Sequence, residues 1–320
     1  MNKPKHHRLQ VSGVLAVVVW VMVLSPETTF AWAPATHLYF AKEVMHFSTL
    51  LPAAVRVLLT TYTEDYLYGC IAADITLGKA FVEYIYNCHN FDVGFGLLKH
   101  ARNDSQRAFV YGYLSHLAAD TVSHNFFVPY QNVEHFNSTR FRHAYWEVRL
   151  DDTFGDRVWG DVERIVSNPR NHDHDRLLDG ALKDTIFSFK TNKVLFSSMI
   201  AIQRFKRWQQ LVKGVNRRSR MQFNPHHIAE YNRLAVSAII LLLSLEKESP
   251  VYRVDPTGVK TVEEAKEVRK LLRRARRAGA LSKRAHEEEC QRFRASIRQH
   301  LFEDYVIKSQ SFHPSIHLAV

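Results

Sequence analysis

His116, Asp120 and His124 recur at four-residue intervals in Gly112-Tyr113-Leu114-Ser115-His116-Leu117-Ala118-Ala119-Asp120-Thr121-Val122-Ser123-His124. On an α-helix this spacing keeps all three side chains on one face, drifting by about 40° per step. Imidazole and carboxylate are borderline donors that suit zinc. Two donors at i and i+4 can share one ion. Asp120 has two oxygens and can bridge two ions, and the drift lets His124 serve another. His143 and Glu147 repeat the i, i+4 geometry in Arg142-His143-Ala144-Tyr145-Trp146-Glu147. With 18 histidines in the chain, a single pair arises easily by chance, and a lone helical histidine is more often a hydrogen-bonded core residue. Two such sets, offering His, Asp and Glu within 32 residues, point instead to a metal. Their neighbours Leu117, Ala118, Ala119 and Ala144 are small or apolar. Such neighbours suit close helix packing around a buried site, where charge without a counter-ion is costly.

The elements that must position these residues read as helices. Apolar spacings of three and four predict helices over 36–59, 107–125 and 139–151, then over 181–190, 193–213 and 226–247. The run from Ile239 to Leu245 is almost unbroken apolar sequence. It is short and flanked by charge, which fits a buried core helix better than a bilayer span. The stretch 155–179 is polar and broken at Asn168-Pro169, with Asp179-Gly180 at its end, and reads as a loop. No alternating strand pattern and no internal repeat occurs. The expected fold class is all-α, a multi-helix bundle.

Residues 1–31 read as a signal peptide. Lys3, Lys5 and Arg8 precede an apolar run of 14 residues from Val11 to Leu24, short of the roughly 20 that a spanning helix needs. Thr29 and Ala31 occupy the two positions a signal peptidase reads, so cleavage leaves Trp32 as the new N-terminus. A cut after Ala33 would place the disfavoured Pro34 next, and a retained anchor is the alternative to cleavage. The chain is thus expected to be exported, periplasmic or secreted. Its formal charge of +11 falls to about +9 when the leader is removed, which suits an anionic partner or simply a solvated basic surface. Of the three cysteines, Cys70 and Cys88 are close in sequence and Cys290 is remote; none forms a C-x-x-C pair, which argues against a cysteine zinc site.

The composition shifts after Pro250, dividing the expected organisation into a helical domain over 32–250 and a basic helical extension over 251–320. Between Thr261 and His300 lie 12 Lys/Arg and 6 Glu, with only a thin apolar stripe of Leu271, Leu272, Ala275, Ala278 and Leu281. That pattern describes a solvated helical hairpin, or one that meets an anionic membrane surface.

The ordered set Trp32, His37, Asp74, His89, His116, Asp120, His124, His143 and Glu147 resembles the trinuclear zinc site of the zinc-dependent phospholipase C family. The single-strand-specific zinc nucleases share that fold. In those proteins the mature N-terminus is a tryptophan whose amine and carbonyl bind zinc, and cleavage before Trp32 reproduces this feature independently. The likeness covers 32 to about 150 most fully. It implies three Zn2+ ions. One is held by Asp74, His89, His116 and Asp120; a second by His124, His143 and Glu147; a third by the Trp32 amine and carbonyl, His37 and Asp120. It also implies that Asp74 is catalytic, orienting or deprotonating the attacking water. The activity so implied is phosphodiester hydrolysis, of a phospholipid first and of single-stranded nucleic acid as the alternative.

On the residues alone, Asp65, Asp92 and His100 rival Asp74 and His89. The short gap from Trp32 to His37 is closer to the nuclease branch, and the His-x-x-x-Glu pair to the phospholipase branch. Ile75 stands where the bacillary phospholipases carry an aromatic residue that helps cage choline; Tyr86 can supply an aromatic wall instead. A non-catalytic, metal-stabilised protein docking on membranes through 261–300 is a further reading. His172-Asp173 and His174-Asp175 offer a remote alternative pair of metal donors.

Overall fold

Pro34 opens the first helix, where its missing N–H costs nothing because first-turn donors have no intrahelical partner. The structure, a computed structural model, describes residues 34–75, 89–137, 144–151, 154, 156–181, 189–203 and 223–312. No strand occurs among them. The single helix expected over 36–59 is corrected to two. Helix α1 (Pro34–His46) gives way to a 3-10 turn (Ser48–Leu50), and α2 (Ala53–Thr61) begins after Pro52. A proline inside a helix cannot donate and clashes with the preceding turn. Helix α3 (Thr63–Ala72) runs into a 3-10 turn (Ala73–Ile75), and α4 (Phe91–His100) follows an Asn90 cap.

Helix α5 (Asp104–Val122) is the axis of the fold. Every residue from Ala108 to Val122 is buried, so the helix shows no polar face. It passes into a five-residue π turn (Ser123–Phe127), then α6 (Val128–Glu134) and α7 (Ala144–Asp151). Helices α3, α4, α1 and α11 (Pro225–Leu245) pack around α5. On α11, Tyr231, Ala235, Val236 and the run from Ala238 to Leu243 are buried, as expected of a core helix. This helix is also long and apolar enough to cross a membrane, but half of that span is buried against the rest of the protein.

The loop expected over 155–179 is corrected. It holds α8 (Asp156–Val166), a 3-10 turn (Pro169–Asn171) and α9 (His172–Ala181). Trp159, Val162, Ile165 and Val166 recur at helical spacing and are buried. The abundant charge on the outer face conceals that period. Asn168-Pro169 marks only the 3-10 turn, whose Asn168 side chain accepts from Arg170 N. The helices expected over 181–190 and 193–213 correspond in part to α10 (Phe189–Gln203); residues 182–188 and 204–222 lie outside the described residues. The basic region folds as α12 (Val259–Arg277) and α13 (Lys283–Phe312), both packed on the π turn and α6.

Candidate metal centre

Two glycines set the site's closest helix crossing. A Cβ on Gly69 of α3 would lie 1.9 Å from Phe109 O, and one on Gly112 of α5 would lie 2.1 Å from Tyr66 O. Only hydrogen side chains allow this approach, which brings the Cys70 carbonyl 3.0 Å from His116 Nδ1. A carbonyl only accepts, so Nδ1 carries the proton and the Nε2 lone pair faces the interior.

Around that lone pair gather side chains from four separate segments: His37 from α1, Asp74 from the 3-10 turn, His89 before α4, and Asp120 from α5. All five residues are at most 2% exposed. His89 Nε2 lies 3.0 Å from His116 Nε2, 3.0 Å from Asp120 Oδ2 and 3.5 Å from Asp74 Oδ1. His116 Nε2 lies 3.3 Å from Asp120 Oδ2 and 3.7 Å from Asp74 Oδ1. Four donors at about 2.0–2.1 Å from a tetrahedral zinc stand about 3.3 Å apart. These five separations bracket that value, so the donor set fits zinc. The other Asp120 oxygen, Oδ1, lies 3.5 Å from His37 Nε2, and the His37 ring stacks on His116 at 3.7 Å. Asp120 thus turns one oxygen toward each of two groups of donors, as a bridging carboxylate does.

The electrostatics also call for a cation. His37 Nε2 and both Asp120 oxygens are buried and lack a hydrogen bond of good geometry. Burial pushes the His37 imidazole down to about 3, with His116 adding to the effect, against the opposite pull of Asp120 and Asp74. It is neutral near pH 7, with its lone pair available. For Asp120, burial alone would favour the protonated acid, but His116 and His89 hold the carboxyl well below its ordinary range. Two buried carboxylates beside three imidazoles are an expensive arrangement unless positive charge joins them.

Of the other expected donors, His124 is buried in the π turn, one helical turn beyond Asp120. Glu147 lies on α7, but its side chain is outside the described residues, as are Trp32, His143, Tyr86 and the leader 1–31. The rivals point elsewhere. Asp65 meets His174 at 2.7 Å, Asp92 accepts from the Tyr252 hydroxyl at 2.5 Å, and His100 Nδ1 meets Gly96 O at 2.8 Å. His174 is a core residue whose ring stacks on Phe109 at 4.6 Å, and Asp175 accepts from Tyr68 and pairs with Lys193. Of the alternative donor pairs, His174 and Asp175 therefore tie α9 into the bundle, while His172 and Asp173 are exposed and Asp173 pairs with Arg176 on the same helix. Cys70 is a free, buried thiol, and Cys88 lies outside the described residues.

Two contributors escaped sequence reasoning. One is the Cys70 carbonyl, whose role depends on a tertiary crossing. The other is Asp151, whose carboxylate accepts from Thr36 N at 2.9 Å, Thr36 Oγ1 at 2.6 Å and Ala35 N at 3.3 Å. It caps α1 from the end of α7 and fixes the backbone beside His37. Its place four residues after Glu147, on the same helix face, was the available signal.

The family model described as zinc dependent phospholipase C matches residues 36–194. No curated protein and no solved structure matches the chain.

Proposed function

We propose, for a chain that belongs through residues 36–194 to the zinc-dependent phospholipase C family, that it is an exported enzyme cleaving phospholipids to diacylglycerol and a phosphorylated headgroup. The observation that carries this reading is the convergence of His37, Asp74, His89, His116 and Asp120 at donor spacings of 3.0–3.7 Å in a buried pocket. Asp74, His89, His116 and Asp120 would hold one zinc. His37 and the second Asp120 oxygen would hold another with the Trp32 amine and carbonyl, and His124, His143 and Glu147 a third. Zinc there supplies Lewis-acid stabilisation of the phosphodiester's growing negative charge and acidifies a water.

The chain's own groups do the rest. Asp74 orients the attacking water and takes its proton as oxygen joins phosphorus. The bond from phosphorus to the glycerol oxygen breaks, and that oxygen takes a proton from solvent water and leaves as the hydroxyl of diacylglycerol. Cys70 O keeps His116 in one tautomer, and Asp151 keeps α1, and so His37, in register. Ile75 follows Asp74 where the bacillary phospholipases carry an aromatic residue, which argues against a headgroup preference set by that position.

The exposed cations at the turn between α12 and α13 would face an anionic lipid surface. Arg274, Arg276, Arg277 and Lys283 are exposed there beside Leu271, which is 60% exposed. By contrast, Arg269 and Arg273 donate to Phe136 O, and Arg294 and Arg298 pair with Glu230. The short interval from Trp32 to His37 favours one second reading, a single-strand-specific nuclease. Purified exported protein, assayed for zinc and offered phosphatidylcholine vesicles and single-stranded DNA in parallel, tests both. Release of phosphorylated headgroup is expected. Zinc-loaded protein that cleaves only the DNA establishes the second reading, and protein that cleaves neither of these nor an aryl phosphodiester overturns both.

A further inference from the structure

The segment 255–273 lies beyond the family match, yet it is built against the backbone of His124. Gly258 precedes α12 with a left-handed φ of 59°, and a Cβ there would fall 2.4 Å from His124 O and 2.7 Å from His124 Cβ. No side chain other than hydrogen fits, both for the backbone angle and for the space. The next residue of the π turn, Asn125, is held on both sides of that glycine. Its Nδ2 donates to Asp255 O at 2.8 Å, and its Oδ1 accepts from Thr261 Oγ1 at 3.1 Å. Asp255 is itself fixed, accepting from Thr257 N at 2.9 Å and from Thr257 Oγ1 at 2.7 Å.

Further along α12, Arg269 Nε and Arg273 Nε both donate to Phe136 O, at 2.9 and 2.8 Å. That carbonyl lies just past the end of α6. A π turn follows a wider backbone register than the α-helix before it, so His124 is aimed by whatever fixes that register. Tyr231 of α11 packs on Phe126 and Phe127 at the far end of that turn, while the contacts to His124 and Asn125 described above come from 255–261.

We infer that residues 255–273 are a brace that positions His124 for one particular metal position. The basic extension is therefore part of the metal centre's construction, quite apart from any contact its outer face makes. Gly258 and Thr261 are positioning residues; they act through His124 and touch no substrate. This inference rests on the proposed assignment of His124 as a zinc donor.

The test is zinc titration of the full-length secreted protein against a competing chelator, comparing wild type with Gly258→Ala, Thr261→Val and Gly279→Ala. Gly279 is the control, because it has a positive φ of 69° in the same hairpin but nothing within 4 Å of its Cβ position. Its substitution imposes the same kind of backbone strain without touching His124. Gly258→Ala should weaken one zinc by about 10–100-fold, the range for loss of an orienting contact, and leave the others at wild-type affinity. Thr261→Val should weaken the same ion to a smaller extent, and Gly279→Ala should weaken none. Selective loss of one ion is a readout that general destabilisation would not produce. If Gly258→Ala fails to fold, Thr261→Val decides. Unchanged affinities in Thr261→Val, or equal weakening of every ion, overturn the brace. A wild-type protein that binds no zinc instead overturns the functional assignment on which the brace depends.

Discussion

Asp120 is the residue on which the centre turns, because its two oxygens face different histidines, His89 and His116 on one side and His37 on the other. Asp120→Asn keeps the shape but replaces one oxygen with a donor and removes the charge. It should cost zinc at two positions and lower kcat/KM by at least about 1,000-fold, the scale for removing a group that acts only in the transition state and its support. Metal analysis and phospholipid turnover on the same sample check this.

A second prediction at this scale concerns His135. Burial pushes its imidazole down to about 4, with Arg149 and His286 adding to the effect. Glu134, at 3.7 Å, is the acid facing it. Between pH about 6.5 and about 4, the unfolded chain binds a proton that the folded chain refuses, so stability falls as pH falls through that window. With partial solvent screening the contribution is on the order of 2 kcal/mol. Thermal melts across the window should flatten in His135→Gln.

Of the cluster, His116 and Asp120 were legible from spacing alone, because one helix carries both; His124, which shares their spacing, lies just beyond that helix in the π turn. Asp74 and His89 were legible only through family likeness. They come from a 3-10 turn and the residue before a capping asparagine, where no periodicity marks a face. Nothing local separated them from Asp65, Asp92 and His100; tertiary packing does.

At the scale of elements, the site depends on how closely α3 approaches α5. Gly69→Ala would force a methyl group to within 1.9 Å of Phe109 O, and the neighbour is backbone, which cannot swing away. The expected cost is about 3 kcal/mol or more, read as a lower denaturation midpoint. The movement should also lengthen the bond from His116 Nδ1 to Cys70 O and so weaken zinc binding. An alanine at Gly160, where nothing lies within 4 Å, should do neither.

The same scale explains where sequence reading of the fold succeeded. Helix α11 announced itself by an apolar run, and α5 by helical recurrence of Phe109, Tyr113 and Leu117. Helix α8 did not, because its buried Trp159, Val162, Ile165 and Val166 are interleaved with charge and sit among turn-forming dipeptides. The break between α1 and α2 was also missed, because apolar residues continue on both sides of Pro52.

At the scale of the whole molecule, the +11 charge is unevenly spent. Several cations of the C-terminal hairpin are occupied within the fold, and the exposed remainder gathers at its turn. The four-residue variant in which Arg274, Arg276, Arg277 and Lys283 become glutamine should bind anionic vesicles several-fold less tightly at low salt. The difference should shrink as salt is raised, because screening acts on exposed charge. Its turnover of a soluble phosphodiester should match wild type, since these side chains stand outside the brace. Composition alone located this basic region but could not divide it, because an arginine bonded to Phe136 O and an arginine in solvent look alike in sequence.

The most direct test of the metal centre is a crystal structure of the purified protein with data collected at the zinc absorption edge. An anomalous peak about 2.0–2.2 Å from His89 Nε2, His116 Nε2 and carboxylate oxygens of Asp74 and Asp120 is the predicted result. A map with no peak among those four side chains, from zinc-supplemented protein that is folded as described, would contradict it.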